Sequence, residues 1–393
     1  MVEPAISTQP IQFSPYNQET STPNPLGINL TNPHTIAVGS GKGGVGKTCV
    51  SLLVALYLAH LEYNVVLIDT DFTGPDLHRL AGITPKTEKF LQNFLSDRVA
   101  HLKQLQQATS IEYLKCICSK NDINRSHPDE NKQYKLIKQL KELDADFVIL
   151  DLSSKMYETA IELFLRADHQ IIVSNSEATS LQQSYNFLKF CFMYELRNSF
   201  KSFFEKFDNR IQNKQPNKYN SLFSILQKIK SESPEALQRF YARFKKYNPH
   251  LIFNMVHSER VEKPVMALKL ASRELLNLEI NYVGSLDFMA QIRKALRAKS
   301  PLTELNSLVH HSNQIEAIVN KIFKKQTRTQ SYHEFRQVIN NGSLQHTKIF
   351  NDENQKEIIC STQCPYWEKC RFRNGGYACR VKYIGFLHKR AIS

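Results

Sequence analysis

Short apolar runs alternate with longer helix-like stretches over most of the chain, from residue 34 to about residue 326. Runs rich in β-branched residues predict strands at Thr35–Gly39, Val65–Asp69, Tyr113–Cys118, Phe147–Leu152, Gln170–Ser174, Leu251–Val256 and Asn281–Leu286. Near-continuous apolar strands that alternate with helices are typical of a parallel sheet covered on both faces. The pattern therefore predicts an α/β fold, with a mostly parallel twisted sheet and helices on both of its faces.

Three helical regions are predicted between and after these strands. Val50 to Leu61 is apolar enough to pack as a helix on the sheet. A long helical and basic stretch, residues 185–250, interrupts the strand series and is predicted to be an insertion. Residues 313–325 predict a closing helix with one apolar face, formed by Ile315, Ile318, Val319, Ile322 and Phe323.

The segments outside residues 34–326 lack this pattern. Residues 1–33 are rich in Pro, Thr, Asn, Gln and Ser, and are predicted to be a disordered tail. Residues 327–357 are polar and predict a linker, and residues 358–393 form a small cysteine-bearing tail. Because no apolar run approaches the roughly eighteen residues of a membrane span, and no signal peptide is evident, the protein is expected in the cytoplasm.

The charge of the chain is strongly basic, with a formal net charge of +14 and a pI of about 9.3. Between Lys201 and Lys246, eleven basic residues stand against four acidic ones. Such an excess favours a polyanionic partner, either non-specific nucleic acid or an anionic membrane, at the periphery of the nucleoid or the membrane. A well-solvated surface is the alternative.

The strongest chemical signal follows the first predicted strand. The sequence there reads Gly41-Lys42-Gly43-Gly44-Val45-Gly46-Lys47-Thr48, which satisfies G-x-x-x-x-G-K-[ST], the phosphate-binding P-loop. Its glycines let backbone N–H groups point inward around an anion. Lys47 is placed to reach the β- and γ-phosphates, and the Thr48 hydroxyl to hold Mg²⁺. A strand before the loop and a helix after it complete the context, so the chain is predicted to bind a nucleotide.

Two further predicted strands end in carboxylates. Val65–Asp69 leads into Asp69-Thr70-Asp71, and Phe147–Leu152 contains Asp151. Aspartates at the carboxyl ends of parallel strands lie at the sheet edge where ligands bind. Asp71 and Asp151 are therefore predicted to lie near Mg²⁺, with Asp151 as the Walker-B residue.

Together these motifs resemble those of the MinD/ParA family of P-loop ATPases. The matching segments are Gly41–Thr48, Asp69–Asp71, Asp151, Ser174–Ser180, Leu251–Asn254 and Tyr282–Asp287. The second lysine of the loop, Lys42, makes it similar to the family's deviant Walker A motif. The resemblance spans about Thr35 to Lys325 and is closest to MinD and the flagellar-number regulator FlhG.

The resemblance implies an ATP-driven dimerising switch. Two ATP-loaded protomers would face each other, and Lys42 would reach across to the partner's phosphates. Asp71 would orient or activate the attacking water, so Lys42, Lys47 and Asp71 are the candidate catalytic residues. Asn254 would touch the adenine. A cation at the β- and γ-phosphates offsets the charge of the transition state, so a lysine supplied in trans would couple hydrolysis to dimerisation.

Three departures from the family pattern bear on the hydrolysis rate more than on ATP binding. Cys49 follows the P-loop where Ser or Thr is usual, and because a thiol is a weak donor, one α-phosphate contact is weakened. Ser153-Ser154-Lys155 follows the Walker-B strand, where small residues including Gly are usual, and Ser176 replaces a usual Pro. Hydrolysis is expected to be slow and stimulated by a partner.

Four of the eight cysteines crowd together near residue 370, with the spacing C-x₃-C-x₅-C-x₈-C: Cys360, Cys364, Cys370 and Cys379. Four thiolates in so short a segment suit a zinc site or an iron–sulfur cluster, and soft ligands do not decide between them. An unmetallated thiol-rich tail is the alternative.

Three functions remain open from the sequence. A MinD/ParA-type ATPase would position or regulate a flagellum, the division site or a chromosome, together with a protein cargo. An iron–sulfur carrier or reductase ATPase of the Mrp or nitrogenase-iron-protein type is the second: Asp69-x-Asp71-x-x-Gly74-Pro75 resembles the Mrp motif, but the sequence lacks the C-x-x-C pair of Mrp relatives. The third is a nucleic-acid-binding module with a regulatory ATPase.

Overall fold

Eight strands form a single sheet in the computed structural model of the chain, which describes residues 24–122, 130–205, 222–256, 261–287, 292, 294–295, 297–298, 301–309 and 312–323. The strands are β1 (His34–Gly39), β2 (Val65–Asp69), β3 (Gln107–Ala108), β4 (Leu114–Ile117), β5 (Phe147–Asp151), β6 (His169–Ser174), β7 (His250–Val256) and β8 (Asn281–Asp287). Their order across the sheet is β3-β4-β2-β5-β1-β6-β7-β8. Every pairing is parallel except that of β3 with β4.

All seven predicted strands are confirmed, and so is the mostly parallel α/β fold. The eighth strand, β3, was not predicted because its two residues, Gln107 and Ala108, form no apolar run and are only partly buried. It is defined by antiparallel pairing with Cys116 and Lys115 of β4, which is a contact between strands and not a local pattern.

Helices cover both faces of the sheet. They are α1 (Lys47–His60), α2 (Leu77–Leu80), α3 (Leu91–Leu95), α4 (Glu130–Leu140), α5 (Glu158–Arg166), α6 (Ala178–Ser199), α7 (Leu222–Glu232), α8 (Pro234–Phe244), α9 (Glu262–Leu276), α10 (Pro301–Val309) and α11 (Asn313–Phe323). Successive residues of β1 enter different cores, as the two-residue period of a strand requires. Ile36 and Val38 pack with α1, α10 and α11, whereas Ala37 packs with the core of α5, α6 and α9. None of the helices in the described ranges is long and apolar enough to span a bilayer.

The predicted boundary of the disordered tail, residues 1–33, lies too far along the chain, because its last residues pack on the core. Leu26, Ile28 and Leu30 pack against the core on the α1 side of the sheet. The Leu26 N–H donates to the Tyr63 hydroxyl at 3.1 Å, which ties this segment to the end of α1. The apolar side chains are spaced among polar ones, which is why composition alone placed them in the tail.

The predicted helical insertion, residues 185–250, starts later than the helix that leads into it. The helix that enters it, α6, begins at Ala178 and packs on α5, α9 and β6, so its first part belongs to the helical layer of the sheet. α7 and α8 follow it, before β7. The predicted linker, residues 327–357, and the cysteine-bearing tail, residues 358–393, lie outside the described residues.

Three histidines stack at the amino ends of neighbouring strands β1, β6 and β7. The rings of His34 and His169 lie 5.8 Å apart, and those of His169 and His250 lie 6.2 Å apart. Burial, assisted by the neighbouring His34, lowers the pKa of His169 to about 4. Burial and the neighbouring His169 lower the pKa of His250 to about 3. The folded chain therefore keeps both imidazoles neutral near pH 7.

We expect protonation of His169 and His250 to reduce the stability of the fold as the pH falls from 7 to 5. In the unfolded chain His169 and His250 take up protons near pH 6.5, but in the folded chain only near pH 4 and pH 3, so acid favours unfolding. By this linkage each histidine removes roughly 2 kcal/mol between pH 7 and pH 5. Urea unfolding across this range measures the slope. His169→Gln should remove the contribution of His169 and so reduce this slope, and an unchanged slope in that variant would contradict the assignment.

Candidate functional site

The crevice at the carboxyl ends of β1, β2 and β5 collects most of the predicted site residues. β1 lies in the middle of the sheet, between β5 and β6. β2 and β5 lie on one side of β1, and β6 to β8 lie on the other, so the strand order changes direction there. Open α/β sheets bind ligands at such a point, beside the carboxyl ends of the strands. The loop from β1 to α1 opens onto this position.

The backbone of this loop requires glycine at several points. Gly44 and Gly46 have φ angles of +79° and +83°, a region that favours glycine. A Cβ atom at Gly41 would lie 1.8 Å from the carbonyl oxygen of Gln183, because the loop packs directly on α6. A Cβ atom at Gly46 would lie 2.2 Å from Asn254 Nδ2. Gly43 is less restricted, since its nearest neighbour would be 3.5 Å away.

Lys47 and Asp151 form a buried ion pair beneath the loop. Lys47 Nζ lies 3.2 Å from Asp151 Oδ1, and the two side chains are 8% and 3% exposed. The Ser51 hydroxyl lies 3.1 Å from the same carboxylate oxygen. Ser51 was not predicted as a site residue, although its position one turn after Lys47 on α1 places it on the same helix face. Lys47 is the lysine of the P-loop motif, the residue whose ammonium group would meet the phosphates of a nucleotide.

The two aspartates after β2 lie in opposite electrostatic environments. Asp69 pairs with Asp151 across the sheet, and its burial together with that neighbouring carboxylate raises its pKa to about 8. Burial also opposes ionisation of Asp71, but hydrogen bonds from Thr73, the charge of Lys47 and a hydrogen bond from Ser153 together outweigh it and lower the pKa of Asp71. The structure therefore keeps Asp69 protonated and Asp71 ionised near pH 7.

Lys42, in the phosphate loop, lies beside the start of α6 and contacts residues of its own chain there. Its Nζ forms an ion pair with Glu177 and lies 3.2 Å from the Thr179 hydroxyl. The Lys42 hydrogen bond lowers the pKa of Glu177. The pair is solvent-accessible, with the Lys42 side chain 32% exposed and that of Glu177 59% exposed. Glu177 belongs to the segment that resembles the family, but the sequence alone did not pair it with Lys42.

The remaining predicted nucleotide contacts surround the loop. The Thr48 side chain is half-buried, and Cys49 is buried so that the pKa of its thiol rises to about 12. Asn254 is buried at the end of β7, and its Nδ2 donates to the Val45 carbonyl at 2.8 Å. In this structure Asn254 therefore supports the phosphate loop with its nitrogen.

Three side chains with hard oxygen ligands, together with the glycine cradle, suit a magnesium nucleotide. Mg²⁺ is usually held by one or two carboxylates together with substrate phosphates, and Asp151, Asp71 and the Thr48 hydroxyl supply such oxygens. Within the described ranges, no group of three or more His, Cys, Asp or Glu side chains is arranged to hold a metal by itself. The other predicted metal ligands, Cys360, Cys364, Cys370 and Cys379, lie outside the described residues.

Comparison with known proteins agrees with this geometry. The ParA family, described as NUBPL iron-transfer P-loop NTPase, matches residues 31–199. A putative septum site-determining protein MinD from Oltmannsiellopsis viridis is 27% identical over 177 residues, which are 45% of this chain and 56% of that protein. The chain is similar to the ParA/MinD family of P-loop NTPases over these residues.

The relatives in this comparison are named for two different functions, septum placement and iron–sulfur cluster assembly. A cytosolic Fe-S cluster assembly factor NUBP2 homolog from Dictyostelium discoideum is 32% identical over 165 residues, which are 40% of this chain and 62% of that protein. The match with these two curated relatives thus spans 56% and 62% of their lengths. The crystal structure of the cell division ATPase MinD from Pyrococcus furiosus is 16% identical, with a TM-score of 0.47, and covers 73% of this chain and 95% of that one.

Proposed function

We propose that the chain binds ATP with Mg²⁺ in the crevice and hydrolyses it slowly as a dimerising switch. The glycine cradle, the buried Lys47 and the oxygens of Thr48 and Asp151 support binding of a magnesium nucleotide. When bound, Mg²⁺ would offset the charge of the phosphates. Lys47 would exchange its contact with Asp151 for a phosphate, a more highly charged partner.

Hydrolysis would depend on Asp71. The ionised Asp71 carboxylate would accept a hydrogen bond from the attacking water, whose oxygen bonds to the γ-phosphorus while the bond to the ADP oxygen breaks. The proton of the water passes to the phosphate released. Asp69, which is kept protonated, is less suited to accept that hydrogen bond.

Dimerisation is the part of the proposal that rests on Lys42, and the observation that carries it is the exposed ion pair with Glu177. Exposed ion pairs contribute at most about 1 kcal/mol to stability, so a phosphate presented by a second protomer would displace Glu177 at little cost. Lys42 would then offset transition-state charge in the partner's site. The cargo of such a switch would be a flagellum, the division site or a chromosome.

The experiment that tests this function measures association and hydrolysis together. The purified chain is examined by light scattering after gel filtration with ADP, with ATP and without nucleotide, and phosphate release is followed in parallel. The expected result is a monomer with ADP and a dimer with ATP, with slow phosphate release. A monomer under all three conditions would refute the dimerising switch.

An iron–sulfur carrier is the second candidate, because the family description and the NUBP2 homolog both refer to iron or iron–sulfur chemistry. The four cysteines near residue 370 offer thiolates for such a cluster. Purification without air, with iron, sulfide and zinc analysis, separates the candidates. Brown protein with near-stoichiometric sulfide would contradict a purely positional role. Colourless zinc protein that dimerises with ATP would contradict the carrier.

A further inference from the structure

The Ser153 hydroxyl joins the loop after β5 to the loop after β2. It donates to Asp71 Oδ1 at 3.1 Å, and its oxygen accepts from the Lys155 N–H at 3.2 Å. Because the Lys155 N–H occupies its acceptor side, the hydroxyl has its proton available for Asp71. Ser153 is only 2% exposed, so water competes little for this hydrogen bond.

Asp71 Oδ1 receives all the donors that the carboxylate has among the described residues. The Thr73 N–H lies 2.9 Å away, the Thr73 hydroxyl 2.7 Å and the Ser153 hydroxyl 3.1 Å. Three donors on one oxygen fix the rotation of the carboxylate and leave Oδ2 as its acceptor for a further donor. Thr73 lies in the same short loop as Asp71 and would move with it.

Ser153 differs from Thr73 because it is anchored to the central part of the sheet. It follows β5, the strand that ends in Asp151, and β5 lies between β2 and β1. The same two strand ends are also joined through Thr70, whose N–H and hydroxyl both lie 3.0 Å from the Asp151 carbonyl oxygen. Ser153 therefore ties Asp71 to the framework that carries Asp151 and its partner Lys47.

We propose that Ser153 is a positioning residue for ATP hydrolysis. Its hydroxyl holds the Asp71 carboxylate so that Oδ2 faces the attacking water. It acts through Asp71 and does not contact the nucleotide. This inference rests on the proposed function, because it requires Asp71 to orient the water. Ser153 is one of the residues after the Walker-B strand that depart from the family pattern, and the inference gives this residue a role.

The test compares steady-state kinetics of full-length variants. Ser153→Ala is expected to lower kcat about tenfold, as befits one hydrogen bond to a charged group, with KM for ATP changed less than about twofold. Ser153→Cys keeps the side chain's size with a weaker donor, so its kcat should lie between wild type and Ser153→Ala. Ser272→Ala is the matched control. Ser272 is a buried serine of α9 whose hydroxyl has no partner in the described region, and its variant should keep the wild-type kcat.

A double-variant cycle shows whether Ser153 acts through Asp71. In Asp71→Asn protein, adding Ser153→Ala is expected to cause no further loss of kcat. A wild-type kcat in Ser153→Ala, a Ser153→Cys rate below that of Ser153→Ala, or a further tenfold loss in the Asp71→Asn background would each overturn the proposal. If the unaltered chain hydrolyses no ATP, the proposed hydrolytic function fails and the Ser153 inference fails with it. If the unaltered chain hydrolyses ATP and Ser153→Ala does so at the same rate, only the Ser153 inference fails.

Discussion

Lys42→Ala is expected to abolish ATP hydrolysis while leaving ATP binding nearly unchanged. A cation that stabilises phosphoryl-transfer charge in trans is worth about 10³-fold or more in rate, and Lys42 is the partly exposed lysine of the phosphate loop. Lys42 contacts Glu177, which lies outside the glycine cradle. Removal of the Lys42 side chain should therefore not disturb the Lys47–Asp151 pair. Phosphate release and binding of a fluorescent ATP analogue measure the two effects.

The control for this variant is Lys103→Ala. Lys103 is an exposed lysine in a 3₁₀ turn at Leu102–Leu105, away from the crevice, and its replacement should leave both rate and affinity unchanged. A Lys42→Ala protein that hydrolyses ATP at the wild-type rate would refute the catalytic role of this lysine. Loss of ATP binding in that variant would instead place Lys42 among the residues of its own cradle.

Asp71→Ala is expected to trap the ATP-bound dimer. Removing the carboxylate removes the acceptor for the attacking water, and general-base contributions of this kind are worth about 10²- to 10⁴-fold in rate. Lys42, Lys47 and Asp151 remain, so ATP binding and dimerisation should persist. Gel filtration after removal of free ATP should show a long-lived dimer, whereas the wild-type dimer decays as hydrolysis proceeds.

Asp76→Ala provides the matched control for Asp71→Ala. Asp76 lies in the same segment, but its carboxylate forms an exposed ion pair with Arg79. Its removal should leave both hydrolysis and dimer lifetime close to wild type, as is usual for exposed pairs. A rapidly decaying Asp71→Ala dimer would contradict the role assigned to Asp71.

A mixture of the two inactive variants distinguishes a lysine in trans from a lysine in cis. In a mixed dimer, the site of the Lys42→Ala protomer keeps Asp71 and receives Lys42 from the Asp71→Ala partner. If Lys42 acts in trans, the mixture therefore regains hydrolysis. If Lys42 acts within its own protomer, no site in the mixture contains both residues, and the mixture stays inactive.

The sequence by itself determined the strands of the sheet and the phosphate loop. Each of the seven predicted strands is a local apolar run, and buried parallel strands require such runs whatever their neighbours are. The loop was also recognisable from the sequence, because its geometry requires glycine. Gly44 and Gly46 have positive φ angles, and Gly41 packs too closely on α6 for a Cβ atom. Asp71 and Asp151 were placed in the crevice because parallel strands end at one edge of the sheet.

Only the tertiary structure decided which side chains meet. Lys42 and Glu177, Asn254 and Val45, and Ser153 and Asp71 are pairs far apart in sequence, and no periodicity links their members. The contrast between Asp69 and Asp71 also arises only on folding, because burial and neighbouring charges set a pKa and both are properties of the packed state. Local pattern thus determined the scaffold and the residue types of the site, whereas long-range packing decided their partners and charge states.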